Sequence, residues 1–158
     1  MCARLGLGPM LAIFEPGFLR TVLAHHRSGS LPAGALVKLY FGDRVTFGLP
    51  PTRNALLAYL DMLEGSGLQW AVSVWGGDVL GTPVARLALE RGGHLIVGLE
   101  PFADPERTPT NEELVADASA LAAAVGRPVA GEGEARTLLG LPAASPRGQP
   151  GTGRSGAN

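Results

Sequence analysis

Apolar positions along this chain fall into two alternating rhythms. Four short runs, "MLAIF" (10–14), "ALVKLYF" (35–41), "WAVSVW" (70–75) and "HLIVGL" (94–99), have strand length and are rich in apolar, β-branched or aromatic residues. Between them the spacing changes to that of helices. Phe18 with Val22 and Leu19 with Leu23 fall four apart, and Leu56, Tyr59, Leu60 and Leu63 follow i, i+3, i+4, i+7. Val84, Leu87 and Ala88 repeat the pattern, and Leu114, Ala118, Leu121 and Val125 line one face of a longer helix. A short helix is expected within "EGEARTLLGL" (132–141).

Local signals bound these segments. Thr82 before Pro83 reads as an N-cap followed by proline at the first helical position. Thr110 with Glu113 has the capping-box spacing, and Pro50-Pro51 precede the second helix. "EGSG" (64–67) and "RGG" (91–93) supply helix stops. From Pro142 the chain turns to "PAASPRGQPGTGRSGAN", without apolar periodicity, and is expected to be a disordered tail over 142–158. Strand starts lie about 25 to 35 residues apart, the size of a βα unit. Alternation of this kind predicts an α/β domain with a parallel sheet. Four units make either a small open sheet or half of a (β/α)8 barrel, and the pattern alone does not separate the two.

Both architectures place functional residues at the carboxyl ends of the strands. That rim carries Glu15, Asp43, Gly76-Gly77-Asp78 and Glu100. Acidic residues at strand exits commonly satisfy turns and helix starts, which is the plainer reading for each of them. Glu100 stands apart because it follows a run that reads as a strand buried on both faces. A carboxylate there is costly without a partner, so a metal-ligand or acid–base role stands beside the strand-end one. Gly76-Gly77 would let an anion approach the backbone before the next helix, but a tight βα turn asks for the same glycines. His94 begins its strand, on the stability end of a barrel, and reads as structural. His25 and His26 are adjacent on a helix and face apart, so they do not share one metal. Trp70 and Trp75 read as core or rim aromatics.

Bulk properties narrow the functions. The 158 residues suit one domain, and 46% hydrophobic against 17% charged residues permits a sizeable core. A net charge of −1 argues against nucleic acid or an anionic membrane surface as partner. The single cysteine, Cys2, rules out a disulfide framework within the chain and fits a reducing, cytoplasmic setting; no chemistry is assigned to it. The opening "MCARLGLGPMLAIFEP" resembles neither a signal peptide nor a membrane span.

Read with "FGLPPTRNALLAYLDML" and "GLQWAVSVWGGDVL", the stretch "LALERGGHLIVGLE" resembles the carboxyl-terminal half of the β-keto acid cleavage enzymes. The group includes the 3-keto-5-aminohexanoate cleavage protein. The similarity continues through "TPTNEELV" and "GRPVAGEGEARTLLGLP", and covers Gly8 to Pro142. It implies a (β/α)8 barrel of which residues 1–141 form the last four βα units. It also implies a transferase that condenses a β-keto acid with acetyl-CoA and yields acetoacetate and a new CoA thioester.

The resemblance further implies one divalent metal, usually zinc, with Glu100 in the position of a family ligand. A carboxylate oxygen joining histidine nitrogens in an open site suits a metal that polarises a keto group. The other ligands come from a His-x-His pair in the family's first half, and no His-x-His occurs here. The family's Arg-Val-Gly-Leu-Glu-Asp reads Ile96-Val97-Gly98-Leu99-Glu100-Pro101, so its substrate-holding arginine has become Ile96 and its proton-transferring aspartate Pro101. A strand glutamate of the family aligns with Ala12.

Catalytic zinc takes about three protein ligands, so the chain is expected to bind zinc only with a His-x-His from another chain. It should not catalyse the family reaction alone. Half-barrel edges invite pairing, with a separate amino-terminal half-barrel chain or with a second copy as a homo-oligomer. Against the enzyme stand a non-catalytic, decayed paralogue kept as an assembly partner and, more remotely, an unrelated small α/β anion-binding domain.

Overall fold

The structure is a computed structural model and describes residues 7–141. The elements run β1 (Met10–Ile13), α1 (Pro16–Arg27), β2 (Leu36–Gly42), α2 (Arg53–Leu63), β3 (Gln69–Trp75), a 3-10 turn (Val79–Gly81), α3 (Pro83–Glu90), β4 (His94–Leu95), α4 (Asn111–Ala124) and α5 (Glu132–Leu138). The strands form one sheet in chain order, and every pairing is parallel. This is the α/β arrangement that the alternating rhythms predict. The tail expected from Pro142 and the residue Cys2 lie outside the described residues.

Strand alternation divides the sheet into two unlike faces. Register aligns Ile13, Leu39, Val72 and Leu95 across the four strands. The first three are buried and pack with Val37, Phe41 and Val74 against Leu19 and Leu23 of α1, Leu56, Tyr59 and Leu63 of α2, and Val84, Leu87 and Ala88 of α3. Ala12, Lys38, Ala71 and His94 align on the opposite face, with Tyr40 beside Ser73 in the next row. None of these residues belongs to the core formed with the helices. The opposite face carries an aromatic group instead. Phe14 stacks on Tyr40 with centroids 4.5 Å apart, Trp75 meets both edge-on, and Phe47 closes over Phe14 from the loop after β2.

The helix boundaries follow their local chemistry. Thr110 Oγ1 accepts from Glu113 N at 3.2 Å while Glu113 Oε2 accepts from Thr110 N at 2.7 Å, completing the expected capping box. Thr52 Oγ1 caps α2 by accepting from Ala55 N. Thr82 sits at the N-cap position of α3, but its hydroxyl donates backwards to Val79 O at 2.7 Å and leaves the helix start to Pro83. Phe18, expected to share the inward face of α1, is 53% exposed, because the helix turns Leu19 and Leu23, with Val22 partly buried beside them, toward the core. Among the described residues no helix is long and apolar enough to cross a membrane.

The last strand departs from the sequence expectation. The run 94–99 reads as a strand buried on both faces, yet only His94–Leu95 form β4, both residues are half-buried, and Leu99 is 51% exposed. Among the described residues β4 is an edge strand with one neighbour and no strand covers its far side.

Inside the core, the Tyr59 hydroxyl is buried and has no hydrogen-bond partner among the described residues. Burial, with Glu15 nearby adding to it, pushes its pKa up to about 12. An unpartnered buried hydroxyl is destabilising by roughly 1–3 kcal/mol. Tyr59→Phe keeps the edge-on contact with Phe41 and should raise the unfolding free energy by about 1 kcal/mol in urea titrations. A loss of similar size would mean that the hydroxyl is satisfied.

Candidate functional site at the carboxyl rim

Three of the four acidic strand exits have structural duties. Glu15 Oε1 accepts from Gly48 N at 2.9 Å and ties the loop after β2 to the end of β1. Asp43 packs over the turn that leaves β3: a Cβ on Gly77 would sit 2.8 Å from Asp43 Oδ2, and one on Gly76 2.5 Å from Asp43 O. Gly76 also has φ +75°, a conformation natural to glycine. The two glycines are thus accounted for by Asp43 and the tight turn, not by an anion. Asp78 Oδ1 accepts from Leu80 N at 2.9 Å and caps the 3-10 turn.

Glu100 differs from these three. It is exposed, and among the described residues nothing hydrogen-bonds or pairs with it. The cause is a slip in register. Ala71 pairs with His94, 23 positions further on, but Gly77 pairs with Phe102, 25 positions further on, so two extra residues enter the line of β4. The ladder is kept up to Ile96, whose N–H donates to Val72 O at 3.0 Å. It resumes where Gly76 N donates to Pro101 O at 2.9 Å and Ala103 N to Gly77 O at 3.2 Å. The intervening residues bulge out through Gly98, at φ +156°, and turn Glu100 toward solvent. Bulges of this kind re-aim side chains beside functional sites. Glu100 is therefore not the last residue of a buried strand, and Ile96, Gly98 and Glu100 are not held on one strand face by simple alternation.

The loop that carries Glu100 is fastened at several points. Leu99 N donates to Asn111 Oδ1 at 3.2 Å. Arg107 donates to Asp117 Oδ2 at 2.5 Å and has Nη1 3.9 Å from Asp78 Oδ2. The hydrogen bond to Asp117 raises the Arg107 pKa above its ordinary value. The cation that the resemblance puts at position 96 is replaced by Ile96, and the rim instead carries Arg107, which no strand spacing marks. The two replacements behave differently. Ile96 keeps its ladder hydrogen bond, and Pro101 is buried with its carbonyl bound to Gly76.

The histidines stand elsewhere. His94 lies at the amino end of β4 with Nε2 3.3 Å from Gln69 Oε1; burial, then the charge of Arg127, lowers its pKa. His25 Nδ1 meets Ser30 Oγ at 2.9 Å beyond the end of α1. Among the described residues no three His, Cys, Asp or Glu side chains are grouped as a metal would require.

Comparison with known proteins assigns this parallel βα sheet to a family. The chain belongs to the beta-keto acid cleavage enzyme family, which it matches over residues 1–141. It is 30% identical over 139 residues to the 3-oxoadipate:acetyl-CoA acetyltransferase of Cupriavidus necator, covering 85% of this chain and 48% of that protein. It is 27% identical over 139 residues to the 3-keto-5-aminohexanoate cleavage enzyme of Acetoanaerobium sticklandii, covering 86% of this chain and 49% of that protein. The chain spans about half the length of these relatives.

The donor set gives a direct test of the metal that the resemblance implies. Glu100 fits one ligand position, being a hard oxygen donor, exposed and without a competing partner. The other described residues do not fit the remaining positions, because His94 lies at the opposite end of β4 and His25 and His26 lie in the last turn of α1. By its described residues alone the chain does not build a metal centre.

Proposed function

We propose that this chain is the carboxyl-terminal portion of a metal-dependent β-keto acid cleavage enzyme of the cytoplasm and is inactive by itself. Its four βα units would supply half of a (β/α)8 barrel. The observation that carries the reading is the family match together with the outward-turned, unpartnered Glu100. The names of both relatives point to β-keto acids as substrates, and that of the first to acetyl-CoA as the second reactant. The products on this reading are acetoacetate and a new acyl-CoA. An amino-terminal half-barrel on another chain would bring the His-x-His pair that completes a zinc site with Glu100.

This chain's own residues then have defined tasks. The bulge at Gly98 presents Glu100, and Arg107, Asn111 and the Gly76–Pro101 hydrogen bond hold the loop in place. The isolated chain with zinc, acetyl-CoA and a panel of β-keto acids should give no acetoacetate above background. Addition of an amino-terminal half bearing His-x-His should give turnover. Robust turnover by the chain alone would show that the missing residues are dispensable.

One observation favours a second reading, a non-catalytic paralogue that acts in assembly. Pro101 stands where the family has a proton-transferring aspartate, and it is built into the sheet as a buried ladder residue. A stable complex with the amino-terminal half that produces no acetoacetate, even with Pro101→Asp, would select this reading.

A further inference from the structure

Five of the eight large apolar residues left exposed among the described residues lie at the two ends of the sheet. Leu7 is 55% exposed and Met10 60% on the β1 side; Val115 is 56%, Val129 67% and Leu138 44% on the β4 side. The β4 side forms a groove of about 510 Å³ between the strand, α4 and α5, with Leu95, Val97, Val115, Val129 and Leu138 on its walls and the polar His94, Ser119, Arg127 and Glu134 among them. Scattered exposed apolar residues are ordinary, but a groove of them beside an unpaired strand edge is an open seat for another strand. β1, reading Met10-Leu11-Ala12-Ile13, is an apolar strand whose outer edge is equally unpaired among the described residues.

In a parallel sheet the two edges are not equivalent, and a parallel continuation joins each to an edge of the other kind. The chain offers one of each. We infer that a second copy of this chain occupies these edges, with β1 of each copy seated in the β4 groove of the other, so that a two-fold axis closes eight parallel strands into a ring. Closure by rotation satisfies both seams at once and leaves no free edge. It also covers the sheet face that bears Met10, Ala12 and Lys38, which packs against no helix core.

Charge supports the pairing. The helix behind each seam on the β1 side, α1, carries Arg20 and Arg27 and no acid. The helix behind it on the β4 side, α4, carries Glu112, Glu113 and Asp117 and no base, although Asp117 is already paired with Arg107 and Glu113 caps the helix. Two copies place the basic helix of one beside the acidic helix of the other, an arrangement that steers association and opposes the wrong register. The inference concerns assembly and stands apart from the activity read above, in which an amino-terminal half would compete for the same edges.

Sedimentation equilibrium of the full chain tests it. The wild type should sediment at twice the chain mass of 16.3 kDa. The paired change Val115→Glu with Val129→Asp, and separately Met10→Asp, should each shift it to a monomer, with the circular dichroism spectrum unchanged because these side chains are exposed in the single chain, and with melting no longer dependent on chain concentration. Either set must act alone, since ring closure needs both kinds of edge. A monomeric wild type overturns the inference, and so does a dimer that survives either set. A chain that is monomeric alone but bound one-to-one by the amino-terminal half of the Cupriavidus necator relative replaces the second copy as occupant. That outcome leaves the proposed enzymatic reading standing.

Discussion

Phe41→Ala should lower the unfolding free energy by about 3–5 kcal/mol, read from urea or thermal unfolding. Phe41 is completely buried near the end of β2, on the face that meets the helices, with its ring edge-on to Tyr59 at 5.7 Å. Truncation loses the transfer free energy of the ring and leaves a cavity between sheet and α2 that neighbouring backbone does not collapse to fill. The edge-on pair adds roughly 0.5–1.5 kcal/mol beyond area. Against a total stability of about 5–15 kcal/mol for a domain, this change alone brings the chain close to unfolding. Phe18→Ala is the matched control. Its ring is 53% exposed, and its loss should cost well under 1 kcal/mol. Equal costs at the two positions would mean that the buried face of the sheet has been assigned wrongly.

The sequence reveals this core and misses the rim for one physical reason. β2 and β3 lie between two neighbours, so Leu39, Phe41, Val72 and Val74 sit where periodicity and burial agree. The Thr110–Glu113 box and the helix faces of Leu56, Tyr59 and Leu63 are likewise set by residues three or four apart. The run after His94 is different. Its apolar composition is that of a buried strand, but its path is set by partners distant in sequence. Gly76 pulls Pro101 into the ladder and Asn111 holds Leu99, which places two extra residues between Ile96 and Phe102. Alternation carries a side chain's direction only while register is kept, and a two-residue slip ends the count before Glu100. A ligand role for Glu100 is suggested only by resemblance to the family, because spacing leaves strand-end and ligand readings level. Arg107 had no local signal at all, since its place beside Asp78 and Asp117 arises from the folding back of the loop.

Glu100→Ala should weaken zinc binding by more than about 100-fold in the chain assembled with an amino-terminal half that bears His-x-His, while leaving assembly and stability unchanged. The size follows from comparison with residues around a site, whose removal typically costs 10–100-fold in metal affinity; loss of a direct ligand exceeds that range. The absence of a stability change follows from the structure. Glu100 is exposed and without a described partner, so its truncation empties no packed space and orphans no donor. Asn111→Ala provides the comparison, because it frees Leu99 N, loosens the bulge and leaves the carboxylate in place. It should weaken zinc less than Glu100→Ala does, within about 10–100-fold. Titration of the assembled pair with zinc, followed by calorimetry, separates the cases without any turnover measurement. Unchanged affinity in Glu100→Ala would remove the ligand role and leave Glu100 as a solvated side chain at the crest of a bulge.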